Sequence, residues 1–275
     1  MPRHRRVAHV AVLAAASLLS VACGDARRAA EQTFTPARAG VLTVAAVLPT
    51  PGSWVVDAEG RPVGGFEYAL AAALADRFDL RLDVVAVPFE RLVAGDLGGA
   101  DLALAEITVT DARDEVLDFS VPYYRADAGV LSATGEEVLD LRSARDRSWG
   151  ARSGTTDAAL VADVIRPDVA RDYPDERACA DAVVTGEIDA CLMDLPTALA
   201  LEAEVAGVDT VARFATDEPW AAALPAGGPR SNVEIVDAGI RALTSDGSLD
   251  RFADEWLLRG DAAAVREIPI IEART

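Results

Sequence analysis

Residues 101–124, DLALAEITVTDARDEVLDFSVPYY, decide how the rest of the chain is read. They open on an apolar run, Leu102 to Ala105, short enough for a buried strand, and turn at Thr108-Val109-Thr110. Arg113 follows in a loop or first helical turn, flanked by Asp111 and Asp114. An arginine just past a strand end at the carboxyl edge of an open α/β sheet stands where such folds place their ligands, and a guanidinium meets a carboxylate through two parallel hydrogen bonds. Taken alone, however, Arg113 reads as a solvated residue paired with its acidic neighbours.

Outward from this stretch the chain alternates. Leu42 to Val47 reads as a buried strand, Glu67 to Phe78 as a helix with Tyr68, Ala71, Leu74 and Phe78 on one face, Arg81 to Val87 as a second strand, and Leu92 to Leu97 as a short helix. Strand, helix, strand, helix, strand implies a parallel sheet with helices on its faces, hence an α/β class. Two further constellations follow. Arg152-Ser153-Gly154-Thr155-Thr156 opens a helix, where unpaired N–H groups and the positive end of the helix dipole favour an anion; a threonine there is also an ordinary N-cap. The apolar run ending at Asp194 places that acid at the same carboxyl edge.

The motif Thr108-x-Thr110-x-x-Arg113, followed by Asp118-Phe119-Ser120-Val121-Pro122-Tyr123-Tyr124, resembles the signature of the periplasmic amino-acid-binding proteins of ABC importers, bacterial solute-binding family 3. The resemblance runs over about residues 40–258 and is supported at 152–156, 189–194 and 245–257. It implies a two-lobe, periplasmic-binding-protein-like fold of type II, its lobes joined by two crossover strands and its ligand in the cleft between them. Lobe one is expected from residues 39–122 plus 223–260, lobe two from 128–217, and a C-terminal tail from 261–275 without a clear pattern, in which Ile268 to Ile271 is open to adding an edge strand.

Carried over position by position, the resemblance makes Arg113 and the 154–156 turn, with Thr155 and Thr156, the receiver of a ligand α-carboxylate, Asp194 the receiver of its α-ammonium, and Thr108 a further ligand-binding residue. Phe89, at the end of the second strand, falls where an aromatic packs on the ligand's side chain, or else caps the core; Trp54 falls in a loop that supplies a pocket wall. Glu106 stands where relatives carry Gly or Ser, and either points to solvent or puts a carboxylate in the cleft that favours a second cation. Arg152 pulls the opposite way, towards a ligand with an extra acid or acceptor, and no single amino acid is singled out.

The amino terminus reads as an export signal, residues 1–22, with Arg3, Arg5 and Arg6 before an apolar run. The sequence Leu19-Ser20-Val21-Ala22-Cys23 resembles a lipoprotein processing site, with lipidation at Cys23 and a lipid-anchored tether over residues 23–38; ordinary cleavage before Cys23 is the alternative. Beyond residue 22 there remain 23 arginines, no lysine and 45 acids, a balance that argues against nucleic acid or anionic lipid as a partner. His4 and His9 both lie in the signal, so the remaining chain offers no Ser-His-Asp or Cys-His catalysis and no histidine metal site; neither metal nor cofactor is expected. Cys179 and Cys191, 12 residues apart, suit a disulfide in an exported protein, although a helix start and a mid-strand residue stand to lie too far apart.

The expected function is therefore that of an exported monomer, not an enzyme, that delivers an amino acid to an ABC transporter permease. A periplasmic dehydratase-type enzyme on the same scaffold, using Glu106 as acid or base, and the ligand-sensing subunit of a signalling system are the alternatives.

Overall fold

In the computed structural model, which describes residues 33–258, 260 and 262–272, the run VLTVAA forms strand β1 (Val41–Ala46) with all six residues buried. A strand without polar alternation needs cover on both faces, which crossover helices supply in a parallel sheet. A two-strand ribbon follows, β2 (Val55–Val56) with β3 (Pro62–Gly64), then helix α1 (Phe66–Arg77), strand β4 (Arg81–Ala86), helix α2 (Phe89–Val93) and strand β5 (Leu102–Ala103). β4 and β5 lie parallel to β1 on either side. After the single turn α3 (Asp111–Asp114) comes the long strand β6 (Leu117–Ala133).

The second half repeats the plan. It comprises α4 (Leu141–Arg145), β7 (Trp149–Arg152), α5 (Thr156–Leu160) continued by a π turn at Val161–Ile165, β8 (Ala170–Tyr173), α6 (Glu176–Val184), β9 (Ala190–Asp194) and α7 (Leu195–Glu204). The long strand β10 (Val208–Pro225) then returns the chain to helices α8 (Arg230–Ser245), α9 (Ser248–Trp256) and α10 (Ala262–Glu267). The strand order is β4-β1-β5-β10-β6-β9-β7-β8, so antiparallel β6 and β10 form the spine between two parallel triplets. Each lobe buries apolar clusters on its own part of the sheet, around Trp54, Phe66, Leu92 and Ile107 in the first and around Trp149, Phe214, Met193 and Leu201 in the second.

The spine is not a continuous ladder. Phe214 pairs with Ala128 and Glu218 with Ala126, so three β10 residues face one on β6, and Asp217 takes a positive φ of 48° there. The bulge breaks the pairing between the lobes and re-aims the side chain of Glu218.

Several sequence expectations need correction. The tether does not reach residue 38: Phe34 is buried with its ring stacked on Phe78 at 5.2 Å, and Thr35 and Asn232 exchange two hydrogen bonds. The second short helix spans Phe89–Val93 rather than 92–97. In the tail the outcome follows the edge-strand reading of Ile268–Ile271: Ile271 is buried in the second lobe's core and Arg213 of β10 bonds Pro269 and Ile271 on either side of a parallel bridge. The export signal, Cys23 and the first part of the tether lie outside the described residues.

Cys179 of α6 and Cys191 of β9 are joined in a disulfide with Cα atoms 6.0 Å apart. The separation feared from sequence does not arise, because α6 folds directly back across the strand that follows it. Gly150 of β7 makes room, as a Cβ there would stand 2.8 Å from the sulfur of Cys179.

Candidate functional site

Thr110 caps α3 by accepting the N–H of Arg113, and the turn drives the arginine side chain into the cleft, where it is 8% exposed. Its Nη1 donates to the carbonyl of Thr108 at 2.7 Å, and its Nη2 crosses to the second lobe and donates to the carbonyl of Gly154 at 3.2 Å. Burial lowers its pKa, while the charges of Glu218, Asp194 and Asp157 oppose that shift. The two threonines read from sequence as carboxylate ligands meet on one oxygen: Thr108 and Thr156 both donate their hydroxyls to Oε2 of Glu218, at 2.7 and 2.6 Å. Thr155 caps α5 by accepting the N–H of Ala158.

Arg113, Thr108, Thr155 and Thr156 line a small chamber between the lobes together with Phe89, Glu106, Arg152, Asp157, Glu176 and Asp194. Its free volume is about 20 Å³, room for one water molecule in this closed arrangement. Eight of the nine residues proposed from sequence thus converge. Trp54 is the exception: it is wholly buried in the first lobe, its indole N–H shared between Glu67 at 2.7 Å and the carbonyl of Leu104 at 3.1 Å. It walls the outer cleft but not the chamber.

Glu106 points inward. Its backbone has a φ of 53°, the left-handed region that glycine enters freely and a glutamate rarely does, and its N–H is held by Oε1 of Glu67 at 2.8 Å. Its carboxylate accepts the hydroxyls of Ser53 on its own lobe and of Thr197 on the other, the latter at 3.2 Å. Beneath it Glu67 also accepts from Tyr123. Burial raises Glu67 to about 7 against the opposing effect of its three donors, and burial followed by the charge of Glu67 raises Glu106 well above the ordinary range.

Asp194, at the end of β9, leads into α7 without making a side-chain cap, and among the described residues nothing donates to its carboxylate. Burial, then the neighbouring Asp157, raises its pKa well above the usual value. Asp157 itself, 6% exposed in the first turn of α5, is raised to about 8 by burial and by Glu218 and Glu176. Asp157, Glu218, Glu176 and Glu67 were not singled out from sequence, where each looks like a helix-start or surface acid.

Arg152 corrects a second expectation. Rather than offering a free cation to a ligand acid, its Nη1 lies 3.2 Å from Glu176 Oε1 and 3.4 Å from Oε2, with its Cζ 4.7 Å from the centroid of the Phe89 ring. Arg113 lies at 5.4 Å from the same ring, so Phe89 is covered by the protein's own cations. Beyond Arg152 and Glu176 the cleft widens into a cavity of about 650 Å³ between the 47–56 loop and Pro174–Arg177 with Leu201 and Glu204. Among the described residues no group of three or more His, Cys, Asp or Glu is arranged to hold a metal ion, and no helix is long and apolar enough to cross a membrane.

Comparison with known proteins agrees with this architecture. The amino-acid-binding protein AabA of Dichelobacter nodosus is 25% identical over 247 residues, 87% of this chain and 94% of the relative. An amino acid ABC transporter substrate-binding protein from Streptococcus pneumoniae, solved bound to L-arginine, superposes with a TM-score of 0.71 at 28% identity, covering 79% of this chain and 94% of its own. An ancestral amino-acid-binding protein described as a precursor of cyclohexadienyl dehydratase gives a TM-score of 0.70 at 24% identity, covering 79% and 95%. The family model matches residues 42–259, the span that builds both lobes and every residue of the chamber, and the chain belongs to the bacterial extracellular solute-binding proteins, family 3.

Proposed function

We propose that the protein binds an α-amino acid as its zwitterion between the lobes and presents the closed state to the permease of an ABC importer. One observation carries the reading: Arg113 of the first lobe and Asp194 of the second line the same chamber, a guanidinium and an unpartnered carboxylate facing one small space. A zwitterion satisfies both at once. Hydrogen bonds to charged groups contribute roughly 1.5–3 kcal/mol each, so three or four of them approach the ~8 kcal/mol of a micromolar complex. Because the partners sit on different lobes, the ligand favours closure by bonds that exist only when the lobes meet. The chamber's present volume means that entry requires opening about the β6–β10 spine. Residues 1–22 serve export, Cys23 carries the lipid that holds the protein at the membrane surface, and the protein acts as a monomer.

The test is thermal unfolding of the chain lacking residues 1–22 against the common amino acids. Saturable stabilisation by some of them, lost in Arg113→Ala, is the expected result; no shift with any α-amino acid overturns the reading. A dehydratase-type enzyme is the second reading, favoured by one feature, the buried and proton-retaining carboxyl of Glu106 on the chamber wall. Recovery of the bound compound chemically unchanged after prolonged incubation excludes it, and appearance of product establishes it.

A further inference from the structure

The Arg152–Glu176 pair stands at the divide between the small inner chamber and the outer cavity: with Thr50, these two residues line both spaces. The guanidinium rests on the ring of Phe89 at 4.7 Å and against the Glu176 carboxylate at 3.2 Å, and the two side chains are only 10% and 16% exposed. An aromatic face and a carboxylate that meet on one guanidinium form a receiver for an organic cation. Here the receiver is filled from within the chain, and the ring belongs to the first lobe while the arginine and the glutamate belong to the second.

We propose that Arg152 is a built-in occupant of a cation subsite made by Phe89 and Glu176, and that it restricts the ligand to amino acids with short side chains. The proposal rests on the amino-acid reading above for the ligand's head group and adds which side chains can follow it. A ligand held at Arg113 and Asp194 that extends its side chain past Arg152 enters the 650 Å³ cavity. A short side chain stops before the guanidinium. A long neutral one must push Arg152 off the ring and leave Glu176 without a partner. A long cationic one would find the same ring and carboxylate suitable, but only after evicting Arg152. The outer cavity beyond is lined by Glu90, Asp175 and Glu204 against Arg177, so a cation that passed the divide would meet a predominantly acidic wall.

The residue is thus specificity-determining, and removing it exchanges an internal cation for an external one. The experiment compares the wild type, Arg152→Ala and the double variant Arg152→Ala/Glu176→Gln by calorimetric titration and thermal unfolding. The probes are glycine, L-alanine, L-lysine, L-arginine and agmatine, the last a guanidinium compound with no carboxylate for Arg113. The wild type should prefer the short amino acids and ignore agmatine. Arg152→Ala should shift the ranking towards L-arginine by at least tenfold relative to L-alanine and acquire millimolar stabilisation by agmatine, and the double variant should lose both gains. Arg152→Met, which keeps the bulk and removes the charge, replaces the alanine variant if that one does not fold. A folded Arg152→Ala that ranks the panel as the wild type does overturns the proposal, as does a wild type that already binds L-arginine as tightly as the variant. Agmatine binding to Arg152→Ala without any α-amino acid binding to either protein upholds the subsite and overturns the head-group reading instead. Silence of every probe on both proteins overturns both.

Discussion

The hydroxyl of Thr197, on the second lobe, donates across the cleft to the carboxylate of Glu106, on the first, at 3.2 Å. The bond exists only when the lobes are together, so it contributes to closure rather than to the stability of either lobe. Thr197→Val keeps the shape of the side chain and removes the donor. Its expected effect is a loss of about tenfold in ligand affinity, near the ~1.4 kcal/mol of one hydrogen bond, measured by titration calorimetry, with the thermal midpoint of the ligand-free protein little changed.

Glu218 ties the same closure from the spine. One carboxylate oxygen takes the hydroxyls of Thr108 and Thr156 from opposite lobes, and the bulge over residues 215–217 is what aims it there. Glu218→Ala should therefore weaken ligand binding more than Thr108→Val or Thr156→Val alone. The effects of Glu218→Ala and Thr156→Val should also fail to add, since both remove the same bond. Additive losses in a double-mutant cycle would show that Glu218 is not the shared acceptor.

The acids of the site make stability depend on pH in a definite sense. Asp157 is raised to about 8 and Glu67 to about 7, chiefly by burial, and Glu106 and Asp194 are raised well above their usual range. The folded protein therefore keeps protons that the unfolded chain has released, and stability from these groups is fullest below the ordinary carboxylate range and declines as pH climbs to about 8. Exposed acids held low by their donors, such as Asp57 beside Arg61, act in the opposite sense and only on the acid side of that window. The thermal midpoint of the ligand-free protein should fall from about pH 5 to about pH 8, and Asp157→Asn should flatten the upper part of the curve. An ammonium placed beside Asp194 favours its ionised form, so binding near neutrality should release protons, visible as a binding heat that changes with the ionisation enthalpy of the buffer.

The Cys179–Cys191 bond closes a short loop of 12 residues within the core of the second lobe. Loops of this size correspond to ~3 kcal/mol of stabilisation through the unfolded chain. Cys179→Ala/Cys191→Ala, or reduction under denaturing and refolding conditions, should lower the unfolding free energy by about 2–4 kcal/mol, read from denaturant titration, with a slope that rises because the uncrosslinked unfolded chain exposes more surface.

Much of this was legible before any coordinates. Continuous apolar runs such as Val41–Ala46 are readable because a strand covered on both faces carries no polar alternation to confuse it. Arg113 and Asp194 were legible through long, distinctive motifs, and the structure brings them to one cleft, with Asp194 at the end of β9 but Arg113 in the single turn α3 rather than at a strand end. Asp157, Glu218, Glu176 and Glu67 were not, for a common reason: an acid in the first turn of a helix or at a strand bulge looks solvated until two lobes enclose it, and enclosure depends on contacts between residues some 40 to 110 positions apart, as in Glu67–Glu106 and Thr108–Glu218. Trp54 walls the outer cleft and not the inner chamber, because its indole N–H is drawn into the first lobe by the buried carboxylate of Glu67. Glu106 could be placed only once Ser53, Thr197 and Glu67 were known to surround it.

The segment after α9 leaves the first lobe, passes beside the spine where Val265 and Arg266 neighbour Tyr124 and Arg125, and anchors Ile271 in the core of the second. The lobes are therefore joined by three lengths of chain, the third set to one side of the other two. Two adjacent strands leave a body free to twist about their common line; an offset third strap resists that twist and leaves simple opening as the softer movement. A pull applied to the chain at Ile271 would therefore act on the core of the second lobe itself.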